Sequence, residues 1–281
     1  KMMLKRNLFI KVYNQKRFFQ ITSKFYSKNN FYITTPIFYV NGDPHLGHAY
    51  SLIVADTLAR FQRNIGKNVH FLTGTDEYGQ KVEQSAKLLN KSPLEFADEK
   101  SKRFRDLAIC LGCSHDDFIR TTEERHHNTV LNVWNILKLK DQLYEGTYEG
   151  WYSVRDETFY TENELIDGKA PTSADVVWLK EQVYFFRLSH WKNKLKEHYL
   201  TSNEAIFPEH CKSEILRVLS SDDDCNDICV SRRNFTWGIP VPNSLHDPQV
   251  IYVWLDALTN YISALGYNPL QNLQNNNNNN N

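Results

Sequence analysis

Phe31-Tyr32-Ile33-Thr34-Thr35-Pro36-Ile37-Phe38-Tyr39-Val40 is rich in β-branched and aromatic residues, and Asn41-Gly42-Asp43-Pro44 breaks the run. From Gly47 to Asn64 apolar residues recur at helical spacing, so the stretch reads strand, turn, helix. The alternation continues outward. Val69 to Leu72 predicts a short second strand, Thr73-Gly74-Thr75-Asp76-Glu77-Tyr78-Gly79 a polar loop, and Gln80 to Leu89 a helix. Ser92-Pro93-Leu94-Glu95 has the marks of a helix start, with Ser as N-cap, Pro at the first position and Glu at the third, and predicts an amphipathic helix to Leu111. Phe118-Ile119-Arg120 reads as a strand and Glu123 to Lys138 as a helix. Strands alternating with helices predict an α/β fold with a parallel sheet.

After Lys138 the texture changes. Tyr144 to Phe186 is dense in Tyr, Trp, Thr, Glu and Gly, with short β-like runs, and predicts a small β-rich insertion. Trp191 to Tyr199 returns to helix, and Ser220-Ser221-Asp222-Asp223-Asp224 reads as a solvated loop. The sheet is expected to resume at Ile228-Cys229-Val230 and at Val250 to Leu255, leading into a helix over Ala257 to Leu265. The expected divisions are 30–140 for the first half of the α/β domain, 141–187 for the insertion, 188–270 for the helical return and second half, and 271–281 for a low-complexity tail ending in Asn275 to Asn281.

With 41% hydrophobic and 13% aromatic residues, the 281-residue chain can bury a sizeable core and is expected to be a soluble globular protein. Its 33 basic and 33 acidic residues are unevenly placed: eight of the basic ones and none of the acids lie in residues 1–30, leaving a formal −8 on the rest. This acid-free leader, with Leu4, Leu8, Phe9, Ile10, Val12, Phe18, Phe19, Ile21, Phe25 and Tyr26, can form an amphipathic helix. A mitochondrial targeting segment over residues 1–29 is expected, hence a matrix location; the alternative is a basic arm on RNA phosphates in a cytoplasmic protein. No membrane insertion is expected, because charge interrupts every apolar run well short of the roughly 18–20 residues of a spanning helix. Five scattered cysteines argue for a reducing compartment. Cys110-x2-Cys113 and Cys225-x3-Cys229 are each half of a zinc pattern, but Cys110 ends an apolar helical run and Cys113 follows Gly112, as for packed thiols. No metal site is expected.

His45-Leu46-Gly47-His48 sits where a helix begins, and a helix N-terminus presents free N–H groups and the positive end of its dipole to an anion. Two imidazoles three residues apart can both face the phosphates of ATP, and Gly47 lacks a Cβ that would block an adenine ring. Taken alone, the four residues read equally as two histidines capping a helix.

Their context carries a resemblance. Thr35 through His48 resembles the signature stretch of class I aminoacyl-tRNA synthetases in its methionyl form. Phe71-Leu72-Thr73-Gly74-Thr75-Asp76-Glu77-Tyr78-Gly79-Gln80-Lys81 is similar to a second methionyl-type segment, with Tyr78 where that family commonly has His. Trp237-Gly238-Ile239-Pro240-Val241-Pro242 and Tyr252-Val253-Trp254-Leu255-Asp256-Ala257 extend the match, which runs from Asn30 to Tyr267 in family order.

The resemblance implies a Rossmann-like catalytic domain of the class I type, with the β-rich segment as its connective domain. It implies a methionine pocket made by Pro36, Ile37, Tyr39, Trp254, Ala257, Leu258 and Tyr261, whose rings and aliphatic walls suit a thioether, with core packing as the other reading of Ile37 and Leu258. Asp76 would take the substrate ammonium, or else be an ordinary loop aspartate; His45, Gly47 and His48 would hold ATP; Arg232, or its neighbour Arg233, would counter charge at the reacting centre. The implied partners are L-methionine, ATP with Mg2+, and tRNA(Met). The connective segment contains no cysteine, so it resembles the zinc-free branch and no structural zinc is expected. The family also has a downstream Lys-Met-Ser-Lys-Ser loop and an anticodon-binding domain. The 281 residues contain neither, so a fragment, a truncated gene model or a decayed copy is expected, with a non-catalytic binding module or another nucleotidyltransferase as further readings.

Overall fold

The computed structural model describes residues 29–153, 155–156, 158–202, 205–221, 226–233, 235–244 and 248–268. The basic leader as far as residue 28, Asp222 to Asp224 with Cys225, and the Asn-rich tail lie outside the described residues. Two compact units form. One is Arg187–Ile228; the other joins Asn30–Phe186 to the chain from Cys229 onward.

The larger unit starts with β1 (Asn30–Thr34) and β2 (Phe38–Tyr39), followed by α1 (Leu46–Asn64) and the nine-residue β3 (Asn68–Asp76). α2 (Gln80–Leu88), α3 (Pro93–Cys110), β4 (Asp117–Arg120) and α4 (Glu124–Leu139) follow. β3 is the centre of the sheet: β1 pairs with its first part, β2 with its end and β4 with its other edge, all parallel. The expected parallel α/β sheet is present. The capping box at Ser92 and Glu95 starts α3, as its letters require.

Two strands differ from expectation. The run from Phe31 to Val40 is split by Thr35–Ile37, where Pro36 has no N–H to give a ladder. β3 continues through Thr73, Gly74 and Thr75, where the polar sequence predicts a loop. These polar letters are interior ones. Thr73 and Thr75 are fully buried, with hydroxyls bonded to Thr35 at 2.7 Å and to Glu77 and Ser101 at 2.7 and 2.9 Å. At position 74 any Cβ would lie 2.0 Å from the Ile119 carbonyl oxygen, so only glycine lets β4 come this close.

β5 (Leu143–Ser153), β6 (Thr158–Tyr160) and β7 (Val177–Phe186) make the expected β-rich insertion; β5 and β7 are antiparallel from Leu143↔Phe186 to Tyr152↔Val177, and β6 pairs with the end of β5. The smaller unit contains α5 (Lys192–Thr201), close to expectation, and α6 (Glu209–Val218), which was not anticipated.

The chain then forms β8 (Ile228–Cys229), β9 (Ser231–Arg232) and β10 (Val250–Ile251), with β9 and β10 antiparallel, and ends its described part in α7 (Val253–Ser263). The strand expected as far as Leu255 stops at Ile251. The Tyr252 carbonyl accepts from Leu255 and Asp256 at 2.9 and 3.3 Å, so the helix opens at Val253 and carries Trp254. One apolar cluster packs Leu52, Val82, Phe96 and Phe104 with Phe38; another gathers Val130, Trp134, Tyr184, Ile239 and Ile251.

Candidate active site

His45 is the N-cap of α1. Its Nδ1 accepts from the Gly47 N–H at 3.1 Å, while its own N–H donates to His48 Nδ1 at 3.0 Å. This is a capping box built from two imidazoles. A nitrogen that accepts carries no proton, so in the neutral rings the N–H lies on Nε2 of both. The His48 ring packs edge-on to Phe38 and Phe104, 5.0 Å from each, and burial, followed by the adjoining His45, lowers its pKa. A Cβ on Gly47 would meet the His45 ring at 2.9 Å, so a larger residue would push the capping ring aside.

Asp76 ends β3, opposite Tyr39 in register, with its carbonyl accepting from Val40 at 3.2 Å. The next residue, Glu77, has no exposed surface. Arg120 donates Nε and Nη2 to its two oxygens at 2.7 and 2.9 Å, and Thr122 adds a bond of 2.6 Å. Such a buried carboxylate is tolerable only when paired and hydrogen-bonded. Trp237 Nε1 donates to the Glu77 carbonyl at 2.6 Å, and its own carbonyl accepts from Gly79 at 3.2 Å, so the Trp-Gly segment clamps the turn after Asp76. Tyr78 is buried here, with its hydroxyl on His127 Nε2 and its ring 5.0 Å from Trp237. Burial, with the nearby Glu77 charge adding to it, raises its pKa, so the phenol stays protonated.

α7 is inverted. It buries Asp256, Thr259, Asn260 and Ser263, whereas Trp254 and Leu258 are 57% and 61% exposed. Residues 254, 257, 258 and 261 recur at helical spacing and share one face. Leu258 is therefore not core, and Ile37 is only half-buried. Tyr261 brings this face to the sheet: burial raises its pKa, hydrogen bonds with Asn260 and the Ile37 backbone pull it down, and the Asp76 charge pushes it up. Ile37, Tyr39, Asp76 and Tyr261 thus meet at the end of β3, with Pro36 exposed beside them.

Arg232 is placed differently. It is 2% exposed, with Nη1 2.8 Å from the Cys229 thiol and its guanidinium 4.0 Å from the centre of the Tyr252 ring. Burial works to lower its pKa, but Cys229, Tyr252 and Tyr152 together keep it raised. An anion could reach it only if these neighbours moved. Arg233 is exposed. Cys110 is exposed at the end of α3 rather than packed, whereas Cys113 is partly buried against the core. Among the described residues no group of three or more His, Cys, Asp or Glu is placed to hold a metal ion. An open cleft of 580 Å³ lies between Asn41, Lys81, Gln84 and Ser85 on one side and Tyr152, Arg155 and Asp175 of the insertion on the other. Neither the histidines nor Asp76 nor Trp254 line it.

The sequence assigns no role to Glu77, Arg120, His126 or Asp256, although an acid directly after Asp76 is a usable signal.

Comparison with known proteins supports the pattern. The family described as tRNA synthetases class I (M) matches residues 31–176 and 161–280. The methionine–tRNA ligase of Rickettsia typhi is 52% identical over 241 residues, covering 85% of this chain and 47% of that protein. That of Rhizobium meliloti is 49% identical over 242 residues, covering 84% and 46%. The Mycobacterium tuberculosis methionyl-tRNA synthetase bound by methionyl-adenylate superposes with a TM-score of 0.80 at 41% identity, over 86% of this chain and 48% of that one. Its free form gives 0.70 at 38% identity, over 86% and 47%. The chain spans about half the length of the curated relatives it matches. With four motifs in order, a matching fold and relatives of this identity, the chain belongs to the class I methionyl-tRNA synthetase family.

Proposed function

We propose that this chain forms the methionine-activating core of a methionine–tRNA ligase, which joins L-methionine to ATP as methionyl-adenylate and passes it to tRNA(Met). The observation that carries the reading is the inverted α7: a soluble helix that leaves Trp254 and Leu258 open, beside Tyr261 and Asp76, has an apolar face prepared for something other than its own core.

In this reading the thioether lies along Trp254, Leu258, Ala257 and Tyr261, with Ile37, Tyr39 and Pro36 opposite, and Asp76 takes the ammonium. The positive end of the α1 dipole and the Nε2–H groups of His45 and His48 face the phosphates of ATP, which enters with Mg2+ as substrate. The methionine carboxylate attacks the α-phosphorus and pyrophosphate leaves; the terminal ribose hydroxyl of tRNA then attacks the adenylate carbonyl, the anhydride C–O bond breaks and AMP leaves. No side-chain nucleophile is needed, and the work of the chain is to position groups and stabilise charge. Arg232, enclosed as it is, acts on this centre only through a rearrangement of its surroundings.

Methionine-dependent ATP–pyrophosphate exchange by the 281-residue chain tests the assignment: exchange is expected, and methionine binding without exchange would make the chain a binding module instead. We also place the protein in the mitochondrial matrix, on the strength of the acid-free basic leader. Fusion of residues 1–30 to a reporter should direct it there; a cytosolic reporter overturns the location. Among the described residues no helix is long and apolar enough to cross a membrane.

A further inference from the structure

The buried face of α7 rests on α4, where His126 is completely enclosed. Its imidazole bridges two turns of α7: Nε2 lies 2.5 Å from Asp256 Oδ1, and Nδ1 lies 2.9 Å from Ser263 Oγ. The direction of the protons follows from the partners. The Ser263 hydroxyl donates to the Thr259 carbonyl at 2.9 Å, so its oxygen accepts from Nδ1–H. A neutral imidazole then has a bare Nε2, and Asp256 must be the donor to it, as a protonated carboxyl group. Burial favours the same state in both groups, raising the Asp256 carboxyl well above its usual range, with the Glu77 charge adding, and lowering His126 to about 4. Asp256 Oδ2 has no partner among the described residues, which a neutral acid tolerates far better than a carboxylate does.

A helix laid on its neighbour through aliphatic side chains alone can roll or slide at little cost. One ring tied to residues 256 and 263 removes both freedoms, because each motion breaks a bond that no water replaces. Trp254, Leu258 and Tyr261 lie on the opposite face of that helix, so whatever fixes its rotation fixes their direction.

We propose that His126 is a positioning residue of the methionine site: through Asp256 and Ser263 it sets the rotation of α7 and thereby the direction in which Trp254, Leu258 and Tyr261 point. This rests on the assignment of that face to methionine.

The test compares the full chain with His126→Leu and Asp256→Asn by calorimetric titration with methionine and with ATP, and by acrylamide quenching of Trp254, taken as the difference from Trp254→Phe. His126→Leu should weaken methionine binding about tenfold, leave ATP affinity unchanged and alter the quenching of Trp254. Asp256→Asn keeps an N–H aimed at Nε2 and should restore most of both properties. If His126→Leu folds and matches the parent in methionine affinity and quenching, the proposal is wrong. If the parent itself binds no methionine, the site assignment fails, and Trp254 quenching alone decides whether His126 positions the helix. If His126→Leu does not fold, Asp256→Asn decides: near-parental values support the neutral bridge, and a tenfold loss overturns it.

Discussion

α1 and α7 frame the candidate site and are built in opposite senses. α1 buries Leu52, Ala55 and Ala59 and presents its polar N-terminus; α7 buries Asp256, Thr259, Asn260 and Ser263 and presents Trp254 and Leu258. In the first, apolar side chains hold the helix and the positive end of its backbone dipole is left open. In the second, the two bonds to His126 join buried Val253 in holding the helix, and apolar side chains are left open. A site for a molecule with an apolar end and a phosphate end gains one surface of each kind from this arrangement.

The contrast is sharpest in stability. Leu52→Ala on α1 empties a fully enclosed position and should cost about 2–5 kcal/mol in urea unfolding. Trp254→Ala on α7 should instead weaken methionine binding by about 2 kcal/mol, roughly 30-fold by calorimetry, with no drop in melting temperature. A marked loss of stability there would mean that Trp254 supports the fold.

Acid probes the polar side of α7. The folded pKa of His126, about 4, lies below the ordinary 6.5, so its contribution is present above pH 6.5 and is lost as pH falls toward 4. Asp256 is shifted upward, so its contribution is held in acid and lost as pH rises. The two slopes oppose each other. Removing one exposes the other: the destabilisation caused by His126→Leu, relative to the parent, should shrink by about 2 kcal/mol between pH 7 and pH 5 in urea midpoints. A difference that grows as the pH falls would show that the ring is charged in the folded state. The smallest effect belongs to Leu258→Ala, under about 0.5 kcal/mol in stability because the side chain is 61% exposed, with only a few-fold loss of methionine affinity.

What could be read from the sequence was what depends on near neighbours. The cap at Ser92, the turn before α1 and the strand–helix alternation use residues a few positions apart, and the parallel sheet follows from them. β3 was read short because Thr73 and Thr75 look like loop residues until Thr35 and Ser101 are known to be their partners. α7 was harder still. Its buried carboxyl is satisfied by a histidine 130 positions away, and the Glu77–Arg120 pair spans 43. No local pattern tells an inverted amphipathic helix from an ordinary one, which is why Leu258 could be read as core. The site residues came from family resemblance; the structure adds that Ile37, Tyr39, Asp76 and Tyr261 meet, and that Arg232 is enclosed.

The capping imidazoles of α1 carry a consequence for how the phosphate end can work. A proton added at Nδ1 of His48 would set a donor against the His45 N–H that now donates to it, and the first turn would come undone as charge was gained. If the turn receives phosphate as proposed, its strength lies in direction: a cation at His48 would supply attraction while dismantling the frame that aims it.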